Sequence, residues 1–66
     1  MSEMTLNGRL LVTAAEAATA LGISRTRVYE LMASGALQSV KIGRSRRIPV
    51  RALRAFVSAI SGESAA

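Results

Sequence analysis

The run TAAEAATALGISRTRVYELMASG, residues 13–35, decides how this chain folds. Thr13 stands where its hydroxyl can accept from a first-turn backbone N–H, and Glu16, three residues on, can reach back to Thr13, which is a capping box. Ala14, Ala17, Ala18 and Leu21 then follow at i, i+3, i+4 and i+7 as one narrow apolar stripe. The small residues along it let a second helix approach closely. Gly22 falls where a left-handed helix stop belongs. Beyond Ile23, Ser24 is a good N-cap for a second helix to about Ser34, with Val28, Leu31 and Met32 as its buried face and Gly35 as its end. Two short helices joined by a tight glycine turn predict a helix-turn-helix.

Downstream the period changes from helical to alternating. Val40 and Ile42 alternate with Ser39 and Lys41, which predicts a strand with its apolar side toward the helices. Gly43-Arg44-Ser45 supplies a turn, and Arg46-Arg47-Ile48 returns as a second strand. Pro49 closes it and lets a third helix begin, since a missing N–H is harmless at a helix start. Leu53, Phe56, Val57 and Ile60 repeat the helical stripe. Upstream, Leu10-Leu11-Val12 is expected to pack beneath the domain as a short lead-in. Residues 1–9 read as a loose arm, and the small polar residues 61–66 as a disordered tail. The expected fold is mainly α with a β-hairpin wing: a winged helix-turn-helix over residues 10–60, with a two-stranded wing and a C-terminal helix.

Composition narrows what such a domain can do. At 66 residues it buries only about 60% of its unfolded surface, so its stability is marginal. Half the residues are hydrophobic but only 3% are aromatic, so aliphatic contacts hold the fold. Without cysteine there is neither a disulfide nor thiolate chemistry, which suits a reducing compartment. Met1 leads into Ser2-Glu3-Met4-Thr5 rather than a basic-then-apolar signal, and no apolar run approaches the roughly 20 residues of a membrane helix. A soluble protein of the bacterial cytoplasm, associated with the nucleoid and not with a membrane, is the expectation. Histidine and aspartate are also absent, and the carboxylates are Glu3, Glu16, Glu30 and Glu63. With Glu3 and Glu63 near the ends and Glu16 in a cap, no acid–base pair and no metal-ligand cluster remains. The chain reads as a non-enzyme without cofactor.

The charge supplies the positive argument. A net charge of +5 and a pI near 11.5 point to a polyanionic partner, and nearly all the cations are arginine, which suits bidentate phosphate and guanine recognition. With Val28, Leu31 and Met32 inward, Thr26 and Glu30 point directly away from the core, flanked by Arg27 and Tyr29. Ser24 and Arg25 lie at the helix start, which faces a groove in this architecture. Arginine pairs with guanine O6 and N7, and threonine meets a thymine methyl or a phosphate. Glu30 has two readings: it accepts from a cytosine amino group, or it orients Arg27 through a helical ion pair. Tyr29 also has two, as a ring packed against the first helix or a hydroxyl on a phosphate. Lys41, Arg44, Arg46 and Arg47 crowd the hairpin, where a basic ribbon can follow a minor groove. Arg51 and Arg54 open the last helix, poorly placed for its dipole, and have two readings: further phosphate contacts or no role. The expected DNA-binding set is thus Ser24, Arg25, Thr26, Arg27, Tyr29, Lys41, Arg44, Arg46 and Arg47.

Taken together, Leu11-Val12-Thr13-Ala14-Ala15-Glu16-Ala17-Ala18, Leu21-Gly22-Ile23-Ser24, Val28-Tyr29, Gly35, Val40-Lys41-Ile42-Gly43-Arg44 and Arg47-Ile48-Pro49 resemble the excisionase-type DNA-binding domain, a branch of the MerR-like winged-helix proteins. The likeness covers roughly residues 11–60. It implies a phage or integrative-element protein, a recombination directionality factor. Such a factor binds double-stranded DNA in an attachment-site arm, bends it, assembles side by side with further copies and steers the integrase of the same element toward excision. Two positions depart from the pattern. Arg27 stands where the family usually has threonine, so base preference does not carry over there. Arg46 stands where it usually has an apolar or aromatic residue, which exchanges a packing contact for a cation. Arg47 falls on the family's habitual arginine. Small element-borne transcription regulators use the same domain and are the alternative; the absence of an effector or dimerisation segment favours the accessory factor.

Overall fold

A computed structural model describes residues 5–6 and 8–62. The parts of the expected arm and tail at residues 1–4, 7 and 63–66 lie outside the described residues. The elements run β1 (Leu11–Val12), α1 (Ala14–Leu21), α2 (Arg25–Ser34), β2 (Val40–Ile42), β3 (Ser45–Pro49) and α3 (Val50–Ser61).

Local chemistry sets the helix ends. The Glu16 N–H donates to Thr13 Oγ1 at 3.1 Å, and the Thr13 N–H donates to Glu16 Oε1 at 2.8 Å, so the capping box closes. Gly22 stops α1 at φ +73°, a left-handed conformation that costs glycine nothing, and the N–H groups of Gly22 and Ile23 both donate to the Ala18 carbonyl. The chain reverses there, and Ser24 Oγ at once accepts from the Arg27 N–H at 3.1 Å to begin α2. The hairpin turns through Gly43-Arg44, with Gly43 at φ +61° in the first turn position, where a two-residue hairpin turn needs it.

The sheet has three strands where a two-stranded wing was expected. Its order is β1-β3-β2, antiparallel throughout, with Val12 opposite Ile48 and Leu11 opposite Pro49. Leu11 and Val12 are therefore an edge strand with its own ladder, and Leu10 is exposed instead of packed. The base of the hairpin is thereby pinned to the helices. Val12, Ala17, Val28, Leu37, Ile48 and Leu53 meet in the core. Leu37 had no assigned place in the sequence pattern, yet it is fully buried, and its N–H donates to the Leu31 carbonyl.

Three burial expectations are corrected. The apolar side of β2 does not face the helices: Val40 and Ile42 are 38% and 56% exposed. β2 is the strand farthest from β1, and residues 40–46 are all exposed; only at the base of the hairpin does Ile48 on β3 take an inward position. On α2 only Val28 is buried, with Leu31 and Met32 half-covered. The α3 stripe outruns the core as well: Leu53 is buried and Phe56 partly so, but Val57 and Ile60 are 44% and 68% exposed. Within the expected arm, Leu6 and Arg9 exchange two backbone hydrogen bonds, Leu6 packs against the core, and Arg9 donates to Glu16 Oε2 at 2.6 Å.

Candidate nucleic-acid interface

Helix α2 has two flanks, and they face different surroundings. At 100° per residue around the buried Val28, Arg25 and Tyr29 fall on one side and Arg27 and Leu31 on the other. The first flank forms one wall of an open cleft of about 390 Å³. The hairpin forms the opposite wall with Arg44, Arg46 and Arg47, and Thr13, Ala14 and Ala15 at the start of α1 form the end. The positive end of a helix dipole thus joins the arginines, and among the described residues no carboxylate lines the cleft. Tyr29 is 57% exposed on this wall.

The cations here are largely uncompensated. Among the described residues, the ion pairs are Arg9–Glu16 at 2.6 Å and Arg27–Glu30 at 3.0 Å. Among the described residues, Arg25, Lys41, Arg44 and Arg46 form no ion pair, and Arg47 acts on Glu16 only at longer range. Two wing arginines are nevertheless positioned by neutral acceptors: Arg46 donates to Ser39 Oγ at 3.0 Å across the hairpin, and Arg47 donates to the Arg46 carbonyl at 3.1 Å. The Glu16 carboxyl lies below its usual range because the Thr13 backbone N–H donates to it. Partial desolvation opposes this, and the charges of Arg9 and Arg47 add to the downward pull. That carboxylate is held within its own cap instead of facing the cleft.

Of the nine residues expected to meet DNA, the cleft gathers Arg25, Tyr29, Arg44, Arg46 and Arg47. Ser24 is engaged as the α2 cap, and Thr26 is exposed on the outward face. Lys41 stands opposite Arg46 on the hairpin but outside the cleft lining. Arg27 is not brought in. It is tied to Glu30, the helical pair that was one reading of that glutamate, and lines a different depression between α2 and α3. The α1 start was missed as a wall; the capping box gives its place in sequence, but only the hairpin's position shows what it faces.

The helix-turn-helix domain family matches residues 11–61 of the chain. Similar over most of its length are "Probable excisionase" of Saccharopolyspora erythraea, 44% identical over 61 residues, and "Excisionase" of Streptomyces ambofaciens, 37% identical over 54 residues. The second match covers 82% of this chain and 87% of that relative. The chain belongs to the excisionase family of helix-turn-helix proteins. The first match covers 92% of this excisionase-family chain but only 62% of its Saccharopolyspora relative, so the chain spans less than two thirds of that protein's length. No solved structure gives a significant match. The matched residues 11–61 of this family member contain both walls of the arginine cleft.

Proposed function

We propose that this chain is an excisionase: it binds duplex DNA in an attachment-site arm through the cleft between α2 and the hairpin, and directs the integrase of its own element toward excision. The observation that carries the reading is the convergence of Arg25, Arg44, Arg46 and Arg47, none of them ion-paired among the described residues, on one cleft of a helix-turn-helix. In this reading α2 enters the major groove by its first turn and Arg25 reaches base edges. Arg44 and Lys41 hold phosphates, the hairpin follows the adjacent minor groove, and the Tyr29 hydroxyl donates to a phosphate oxygen. In this reading the protein acts by shaping DNA instead of by catalysis, in the host cytoplasm at the nucleoid. Copies bind side by side and share the work of bending. The names of the two relatives support the recombination role over transcription control. The deciding experiment is recombination of a supercoiled substrate by the element's integrase with and without this protein. Excision that depends on it bears the reading out; unchanged excision combined with repression from a nearby promoter overturns it.

A further inference from the structure

The apolar stripe of α3 continues past the core and meets the second flank of α2. There Leu21, Ile23, Leu31, Phe56, Val57 and Ile60 line an open depression of about 720 Å³. A second depression of about 350 Å³ shares Ala20, Leu21 and Val57 with it and continues toward Leu6. The two make one groove along α3. Contiguous exposed apolar surface of this kind marks an interaction site more often than scattered single residues do.

Charge decides what fits. Among the described residues no carboxylate lines either depression, while Arg54 stands beside the shorter one and Arg27 beside the longer. Among the described residues Arg54 forms no ion pair, and Arg27 shares its charge with an exposed Glu30. Glu16 lies in the neighbouring depression beyond Leu6 and Ala20 and is held by Arg9. DNA is a poor occupant, because Val57 and Ile60 gain nothing from phosphates. A second copy is poor too: it brings a net charge of +5, and its described carboxylates, Glu16 and Glu30, are already held by its own arginines. We propose that this groove receives an acidic amphipathic segment of another protein, with apolar side chains on its floor and carboxylates against Arg54 and Arg27. From Leu53 to Ile60 the stripe rises about 10 Å, which matches two turns of a helix with apolar residues at i, i+3, i+4 and i+7. Helix α2 stands between groove and cleft, so both can be filled at once.

The test uses two synthetic helical peptides with identical leucine positions, one flanked by glutamates and one by lysines. Each is titrated into the methyl-labelled 66-residue chain, free and bound to duplex DNA. The glutamate peptide is expected to shift the Leu21, Ile23, Val57 and Ile60 methyls saturably and to bind at least about fivefold tighter than the lysine peptide. These shifts persist with DNA in the cleft. Ile60→Asp weakens the peptide about tenfold and leaves DNA binding intact, which also shows that the variant folds. Arg54→Glu reverses the peptide preference. The proposal is overturned by equal binding of both peptides, or by displacement of the glutamate peptide by DNA, which would make it a phosphate mimic. It is equally overturned if the same methyls shift on concentration of the protein alone, or on removal of residues 1–4. The groove would then hold a second copy or the chain's own beginning.

Discussion

Arg25, in the first turn of α2, and Arg44, at the tip of the hairpin, line the same cleft from opposite sides. Their backbones give them different work. Arg25 is carried by a helix whose buried Val28 fixes its rotation, so it can be aimed at one base edge. Arg44 sits on an exposed turn and is suited to a phosphate of any sequence. Arg25→Ala is therefore expected to cost about 1–3 kcal/mol at the preferred site and to relax base preference there. Arg44→Ala is expected to weaken preferred and random duplexes alike and to reduce the salt slope by about one. Gel-shift titrations of both variants on both duplexes check this, and identical profiles would contradict it.

Arg27 provides the internal contrast. It is the other arginine of the same helix, but it faces the groove beneath α3 and is bound to Glu30. Arg27→Ala is expected to leave base preference unchanged and to lower affinity less than Arg25→Ala does, by the same titrations. A change of preferred sequence in Arg27→Ala would move the reading edge of α2 to its other flank.

The sequence separated these two arginines poorly, for a physical reason. Boundaries were legible because they rest on local chemistry: Thr13 with Glu16, Gly22, Ser24 and Gly35 each act within one turn. Which flank of α2 faces the DNA depends on where α3 and the hairpin pack, and no local spacing encodes that. The same holds for Val40 and Ile42, whose alternation is real but whose inward side is decided by the pairing of Val12 with Ile48. Leu37 sits in a loop without a period, so nothing in its neighbours marked it as core.

The capping box makes a prediction about acid. Glu16 is held below its ordinary value of 4.5 in the folded chain. A lowered carboxyl contributes stability above its unfolded pKa, and that contribution is lost as pH falls through the folded value. Glu16→Gln keeps an acceptor for the Thr13 N–H but removes the charge that Arg9 and Arg47 favour. Its melting temperature is expected to lie below wild type at neutral pH, and the two curves to converge as pH drops below 4.5. Melting curves that stay parallel from neutral to acid pH would show that the charge of Glu16 contributes nothing.

Core economy makes Ile48 a sensitive position. It is fully buried, pairs with Val12 and is the inward residue that anchors the hairpin to the helices. Ile48→Ala is expected to cost about 2–5 kcal/mol, enough to unfold much of a domain this small. Ile48→Val removes one methylene and costs about 0.5–1.5 kcal/mol. Urea titrations of both variants would show it; a near-neutral Ile48→Ala would mean the hairpin is held from elsewhere.

Binding to DNA should be strongly salt-dependent and cooperative, for linked reasons. With about five to seven phosphates neutralised per copy, log K is expected to fall against log salt with a slope of about −4 to −6. A single small module buries only about 600–1,000 Å² of its surface on DNA. Bending 20–30 base pairs by 40–90° costs roughly 1–6 kcal/mol, which is a heavy demand on one such footprint. Several copies would divide that cost. In free solution the net charge of +5 opposes association, whereas phosphates neutralise it on the duplex. Val40 and Ile42, exposed on the edge strand β2, would then offer a neighbour an apolar contact beside the DNA. A head-to-tail contact of this kind would not close on itself, so the number of copies would follow the length of the site. Sedimentation is expected to show a monomer alone, and titration of duplexes with one and with several adjacent sites to show tighter binding per copy on the longer duplex. Ile42→Ser should abolish that gain while leaving single-site affinity nearly unchanged, because it removes the neighbour contact and no cation. A two-fold dimer in free solution, or equal affinity per copy on both duplexes, would rule the arrangement out.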